Sequence, residues 1–361
     1  QNQDYYDDNV GTAVALFIIA MLYVCYAFAL WKRIPFAAST LSTGVTACKA
    51  NLGVFGFAFL SPLLYFGTFA VQAMSFVTWF DLFGGFDEYG PNSDAASVGI
   101  VISSIFILLS IYWTAEVIKN ISTVTVSGTV GTWWFSPVEA SSFCSNAVLD
   151  SFKRAMTYSF GSICFGSLIV AILNVLVHFM RRLRRERGCV LLFCVIQCII
   201  NYLEMLAEYF NKWAFVYVGL YGYDYMTAGK NVMRLFKSRG WSSVISHSLV
   251  QKAMFMVAMC VALVTGLVVA LVGGFFEELM NPDMFGTVMF WMFFSGFYVS
   301  LVNSQTLLTV VSTASDTTIV CFAEGPAEFE ENHPSLSAQM TETFSTTFPE
   351  VNFGRGSGEV V

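Results

Sequence analysis

The segment at residues 151–188 constrains the fold of this chain more than any other stretch. Residues 156–180 are apolar, and His178 is the one residue among them that could carry a charge. At about 1.5 Å rise per residue, a helix of this length crosses a bilayer core of about 30 Å with some tilt. Five arginines follow within residues 181–187, and such clusters are typical of the cytoplasmic end of a span. The segment therefore predicts a transmembrane helix whose C-terminal end is cytoplasmic.

The composition of the whole chain agrees with a membrane protein. Hydrophobic residues make up 56% of the sequence and charged residues 12%, and that charged fraction is about half of the value for a soluble domain. A soluble fold of this length could not bury so much apolar surface. The net charge of −7 says little about partners. Because the arginine cluster adjoins a span, we expect contact with membrane lipids and none with nucleic acid.

Seven further apolar runs are candidates for spans. Together with the arginine-capped segment, they predict an all-α, polytopic transmembrane helical bundle with eight clear spans. Asn211 and Lys212 are then expected to form a short turn between two of the runs. The seven runs cover residues 11–31, 50–83, 96–118, 189–206, 213–228, 253–276 and 284–322.

The distribution of basic residues predicts one more crossing. Placing the arginine cluster inside also places the basic residues of 230–239 inside, and placing Lys49 inside puts the acidic loop at 81–94 outside. The two assignments are compatible only if the chain crosses once more between them. The candidate is residues 121–135, which are uncharged, β-branched and interrupted by two glycines. We expect a broken or irregular crossing of the kind that lines transporter sites, or a re-entrant loop without a ligand.

The two ends of the chain differ from the apolar centre. Residues 1–325 are predicted to form the transmembrane domain. Residues 326–361 become acidic and then rich in Ser and Thr, and they are predicted to form a cytoplasmic tail that is largely disordered. The chain begins with Gln1 and shows no signal peptide, so we expect a piece of a longer protein.

Polar and aromatic residues within the runs are candidates for substrate binding, because ionisable groups are costly in lipid. Glu116 lies one helical turn before Lys119, so these two could instead form an ion pair at the interface. Tyr217 and Tyr221 share one helix face near Asp224, an arrangement that suits a cation or an interfacial aromatic belt. The predicted substrate-binding residues are Trp113, Glu116, Trp133, Trp134, Tyr217, Tyr221 and Asp224.

Three further acids lie in apolar stretches. Glu204 and Glu208 are four residues apart, and we expect Glu204 to lie deeper in the membrane than Glu208. The third is Asp316, which has no charged neighbour in the sequence.

Nothing in the sequence predicts an enzyme. Its three histidines are far apart, and it contains no nucleophile, phosphate-loop, zinc or dinucleotide motif. We therefore expect no catalytic residues, no metal site and no cofactor.

Three motifs point to a known family. Residues 159–172 read SFGSICFGSLIVAI, close to the pattern GSxxFGSLIxAI. Residues 211–236 contain N-x-x-A-F and A-G-K-N, and residues 316–334 begin DTTIVCFAEG. Together these stretches resemble the choline transporter-like family, including its fungal pH-nine-sensitive branch. Trp213 and Asp224 depart from the family's more usual residues, and its further N-terminal span is missing.

The resemblance implies a function. Members of the family are expected to move choline, or a related amine such as ethanolamine, across the plasma membrane by facilitated transport without ATP. The substrate would be a small cationic amine bound between helices and released by alternating access. Two alternatives are a non-transporting membrane protein that acts in trafficking or membrane homeostasis, and a channel-like pore.

Overall fold

The structure, a computed structural model, describes residues 33–82, 94–137, 146–187, 191–241, 249–280 and 285–348, together with Met21 and Trp31. Within these residues the chain forms eleven α-helices and no strand, in agreement with the predicted all-α class. The helices are α1 Ile34–Ala50, α2 Gly53–Leu82, α3 Asp94–Phe135, α4 Asn146–Met156, α5 Phe160–Arg187, α6 Leu191–Tyr221, α7 Tyr225–Ser238, α8 Leu249–Met280, α9 Phe285–Glu324, α10 Pro326–Asn332 and α11 Pro334–Thr347.

Five of these helices, α2, α3, α5, α8 and α9, are long and apolar enough to cross a membrane. The chain is therefore an integral membrane protein, but eight spans are not confirmed. Helix α6 has 31 residues and returns alongside α5, since the backbone N–H of Tyr225 donates to Ser162 Oγ at 3.3 Å. Most of the predicted first span at 11–31 and most of the acidic loop at 81–94 lie outside the described residues.

Residues 121–135 do not form a broken crossing, so that prediction is wrong. They are the second half of α3, a continuous helix of 42 residues. The hydroxyls of Thr125 and Thr129 donate to carbonyls four residues earlier, at 2.8 and 2.9 Å, which satisfies them inside the helix. The glycines allow close packing: a Cβ on Gly128 would lie 3.1 Å from the carbonyl oxygen of Gly219 on α6.

The turn predicted at Asn211 and Lys212 is also wrong. Helix α6 runs through both residues and joins two predicted spans into one helix. The chain leaves the helical conformation at Gly222 instead, where φ is 72°, a value that glycine adopts at little cost. Lys212 remains inside the bundle because its ammonium is paired there, with Nζ 2.8 Å from Asp316 Oδ1.

The bundle has two distinct ends. At the end that we call the tail face, the C-terminal ends of α3, α6 and α9 meet, and Trp134 Nε1 donates to the carbonyl oxygen of Gly325 at 3.1 Å. At the opposite end, the hairpin face, the C-terminal half of α2 and the N-terminal half of α3 are joined by Gln72, which donates to Ser110 Oγ at 2.9 Å. The C-terminal half of α5 borders the same groove as these two helices.

The arginine cluster and the basic residues of α7 therefore lie at opposite ends of the bundle. Helix α5 ends at Arg187 on the hairpin face, whereas α7 follows α6 at the tail face. The sequence predicts two crossings between these groups, whereas the structure places a single helix, α6, between them.

The tail is ordered for most of its length, so the prediction of disorder is wrong for residues 326–347. Helices α10 and α11 each begin with a proline, a residue favoured in the first helical turn. Phe329, Met340 and Phe344 are fully buried, and the ring of Phe344 lies 4.8 Å from that of Phe322 on α9. The Ser/Thr-rich composition of this segment gives no indication that these three apolar residues pack against the bundle. Residues 349–361 lie outside the described part of the chain.

Candidate functional site

A cavity of about 450 Å³ lies halfway along α3, α6 and α9. Its volume is within the range of small-molecule sites. Three carboxylates and two ammonium groups line it, so its formal charge is negative by one unit, which favours a cationic occupant. The ionisable lining residues are Glu116, Lys119, Glu208, Lys212 and Asp316.

One pair of these charges lies on α3. Lys119 Nζ is 3.2 Å from both carboxylate oxygens of Glu116, as the sequence alternative of an ion pair predicts. The Lys119 side chain is 56% exposed, so solvent screens the pair. Behind it, Asn120 Nδ2 donates to Ser167 Oγ at 2.9 Å. Ser167 is on α5, so this bond joins α5 to α3.

The second pair joins α6 to α9. Lys212 Nζ lies 2.8 Å from Asp316 Oδ1, and the Asp316 side chain is 5% exposed. The same ammonium lies 4.8 Å from the ring centroid of Trp213. Trp213 is itself buried and packs edge-on against Phe236, with centroids 5.1 Å apart. A carboxylate and an aromatic face therefore hold one cation at the wall of the cavity.

Glu208 is the carboxylate of the cavity without an ion pair within the described residues. It lies one helical turn before Lys212 on α6. Glu204, which the sequence favours as the deeper acid, does not line the cavity. The two glutamates share a helix face, so their spacing alone does not distinguish them. Their positions along α6 distinguish them: Glu208 lies level with the cavity, and Glu204 lies one helical turn nearer the N-terminus. These positions follow from α6 being one long helix.

Six of the seven predicted binding residues lie outside this cavity, and Glu116 alone lines it. Trp113 Nε1 donates to a backbone carbonyl of α5 at 3.0 Å. Trp133 and Trp134 contact the tail. The ring of Trp134 stacks on Phe329 with centroids 3.8 Å apart, and the ring of Trp133 stacks on His333 at 4.1 Å. The two tryptophans therefore fasten α10 to the end of α3.

Tyr217 and Tyr221 lie at the tail face, in a cluster that also contains Tyr223. The Tyr217 ring centroid is 4.8 Å from that of Tyr221 and 6.2 Å from that of Tyr223. The Tyr217 hydroxyl donates to Glu324 Oε1 at 3.1 Å. The cluster thus combines tyrosines with a carboxylate, but neither Tyr217 nor Tyr221 lines the cavity.

Asp224 is exposed and caps α7 rather than facing the cavity. Hydrogen bonds from the side chain and backbone of Thr227 lower the pKa of its carboxyl below the ordinary value. We expect Asp224→Ala to lower the thermal unfolding midpoint by a few degrees, because Ala cannot accept the capping hydrogen bond. Asp224→Asn should keep the parent midpoint, since Asn also caps helices. Equal losses in both variants, measured in detergent, would contradict a capping role.

Comparison with known proteins places these features in a family. The family described as plasma-membrane choline transporter matches residues 14–327. Protein PNS1 from Mycosarcoma maydis is 31% identical over 95% of this chain and 65% of its own length. Protein PNS1 from Gibberella zeae is 31% identical over 92% of this chain and 63% of its own length.

A CTL-like protein from Dictyostelium discoideum is 27% identical over 92% of this chain and 56% of its own length. The chain thus spans less than two thirds of the length of these relatives. The matched residues 14–327 include the cavity and all five candidate spans. The resemblance predicted from three short motifs is confirmed, and the chain belongs to the choline transporter-like family.

Proposed function

We propose that this chain forms the core of a carrier, rather than an enzyme, that moves choline or a related amine across a membrane by facilitated alternating access. The amine would bind in the central cavity between α3, α6 and α9. The observation that carries this proposal is the unpaired carboxylate of Glu208 in a cavity with an excess of one negative charge. Membership of the choline transporter-like family supports it.

The chemistry of the cavity suits an organic cation. A quaternary ammonium cannot donate hydrogen bonds, so carboxylates and aromatic faces are its best partners. Both are present, since Glu208 and Asp316 line the cavity together with Tyr209 and Trp213. The ring centroids of Tyr209 and Trp213 are 6.5 Å apart. Together these groups provide both kinds of contact on two neighbouring helices.

The cavity also offers partners for the hydroxyl of choline or the amine protons of ethanolamine. Ser312 Oγ and Asn211 Oδ1 are buried and have no hydrogen-bond partner within the described residues. Both residues line the cavity. A buried polar atom without a partner is costly, so a substrate that bonds to it gains affinity. These atoms would orient the polar end of the substrate while the carboxylates hold its cationic end.

We further propose that the tail face is cytoplasmic and that the membrane is the plasma membrane. Basic residues of α4 and α7 and the turn after α7 gather at the tail face, and they outnumber the five arginines of α5 at the hairpin face. The ends of α2, α3 and α8 at the hairpin face carry acids instead. A cytoplasmic excess of Lys and Arg is the usual pattern in membrane proteins. The tail-face residues are Lys153, Arg154, Lys230, Arg234, Lys237 and Arg239.

Choline binding and uptake test the proposal. The purified chain, reconstituted in lipid vesicles, is expected to bind labelled choline and to accumulate it down a gradient without ATP. We expect Glu208→Gln to raise the choline Kd about tenfold, because a loss of 1.4 kcal/mol is a factor of ten in affinity. The substitution keeps the shape of the side chain and removes only its charge.

Glu204→Gln is the matched control, since it makes the same change one turn away on α6 and outside the cavity. It should leave Kd and uptake at the parent values. If the parent binds neither choline nor ethanolamine, the proposed function is wrong. If the parent binds but Glu208→Gln and Glu204→Gln behave alike, the cavity is not the binding site.

A further inference from the structure

The ammonium of Lys212 occupies the position that best fits a substrate cation. It is 2.8 Å from Asp316 Oδ1 and 4.8 Å from the ring centroid of Trp213. A carboxylate on one side and an aromatic face on the other are the contacts that a desolvated organic ammonium requires. The protein thus places its own cation at a site of this chemistry.

Lys212 has a second carboxylate within reach. Glu208 is four residues earlier on α6, and side chains at this spacing lie on one helix face with Cβ atoms about 5–6 Å apart. Glu208 lines the same cavity and has no ion pair within the described residues. A rotation of the flexible Lys212 side chain about its own bonds would carry its ammonium from Asp316 to Glu208. This movement needs no change in the backbone of α6.

We propose that Lys212 is a placeholder cation, which holds the position between Asp316 and Trp213 in the empty carrier and yields it to the ammonium group of the substrate. This inference rests on the proposed function and adds the mechanism of exchange at the same site. When the substrate enters, Lys212 turns to Glu208, and every carboxylate of the cavity is then paired. When the substrate leaves, Lys212 returns to Asp316.

The exchange has a consequence for the return of the empty carrier. A bare carboxylate in a low-dielectric bundle is strongly disfavoured, and Asp316 is 5% exposed. With Lys212 in place, the charge of Asp316 stays neutralised while the cavity is empty. The carrier can therefore change its orientation without substrate. Without Lys212, only the loaded carrier has this charge paired. Net uptake then becomes slow, while exchange of internal for external substrate continues.

The test compares Lys212→Met with the parent chain in reconstituted vesicles. A substrate whose site is held by a competitor nine-tenths of the time has an apparent Kd about tenfold above the intrinsic value. We therefore expect Lys212→Met to lower the choline Kd about tenfold and to raise the ratio of exchange to net uptake by about the same factor. Lys212→Arg keeps a cation at the position and should restore both values towards those of the parent.

Lys153→Met is the matched control, because Lys153 pairs with Asp150 at 3.6 Å on the exposed surface of α4, outside the cavity. It should change neither value. If Lys212→Met fails to fold, the double variant Lys212→Met with Asp316→Asn removes the buried pair without leaving a lone charge. In that variant we expect choline binding to weaken at least tenfold relative to the parent.

Three outcomes overturn the inference. If Lys212→Met lowers the thermal midpoint but leaves Kd and the exchange ratio at the parent values, the pair has only a structural role. If the double variant binds choline as the parent does, Asp316 is not the position of the ammonium. If the parent itself binds no amine, the proposed function has failed, and the placeholder fails with it.

Discussion

Trp134→Ala is expected to lower the free energy of unfolding by about 3–5 kcal/mol, the usual cost of removing a large buried aromatic side chain. Trp134 is fully buried. Its ring lies nearly parallel to that of Phe329, with centroids 3.8 Å apart, and its Nε1 donates to the carbonyl oxygen of Gly325 at 3.1 Å. The substitution removes both of these contacts of the Trp134 side chain. Chemical unfolding in detergent micelles measures the change.

Limited proteolysis gives a second, local measurement of Trp134→Ala. The loss should be concentrated in α10 and α11, so these helices should become protease-sensitive before the rest of the bundle unfolds. Trp291→Ala is the control, since Trp291 lies on α9 and is 67% exposed. Unchanged cleavage of the tail in Trp134→Ala would show that other contacts hold it in place.

Gly219→Val should destabilise the bundle and weaken choline binding together. A Cβ at residue 219 would lie 2.7 Å from the carbonyl oxygen of Val124 and 2.7 Å from Ser127 Cβ on α3. A backbone atom cannot move aside alone, so α3 and α6 must separate. Overpacking of this kind costs typically about 1–3 kcal/mol. Because α3 and α6 form two walls of the cavity, the separation should also raise the choline Kd.

Gly56→Val makes the same change where there is space for it. No neighbouring atom lies within 4 Å of a Cβ at residue 56 on α2. Its unfolding midpoint and choline Kd should stay near the parent values. If the two valine variants unfold at the same midpoint, then the contact of α3 with α6 at Gly219 does not limit stability.

The class of the fold could be predicted from the sequence, but the continuity of its helices could not. Apolar runs and few charges are sufficient to indicate membrane-spanning helices. The β-branched residues and glycines of 121–135 are typical of irregular backbone, yet here the hydroxyls bond within α3 and Gly128 faces α6. Whether a glycine breaks a helix or admits a neighbour depends on a partner that is distant in the sequence.

The residues of the central cavity could not be predicted for the same reason, because they come from helices that are distant in the sequence. Lys212 is on α6 and Asp316 is on α9, with α7 and α8 between them in the sequence, so no spacing relates the two residues. Lys212 lies beside Asn211, and two adjacent polar residues between apolar runs favour a turn. In the structure, Lys212 pairs instead with the carboxylate of Asp316. Trp133 and Trp134 are predicted to bind substrate, but aromatic residues also fasten helices to each other. The sequence contains no signal that separates these two uses.

The unbroken α3 determines how movement can pass through the protein. A helix of 42 residues is about 63 Å long at 1.5 Å per residue, and the cavity lies near its middle. Such a rod acts as a lever with two arms of about 30 Å, so a tilt of about 10° at the cavity would displace each end by about 5 Å. Because Trp134 ties the end of α3 to α10, the tail would travel with that arm. A fluorescent label on α11 would then report that movement.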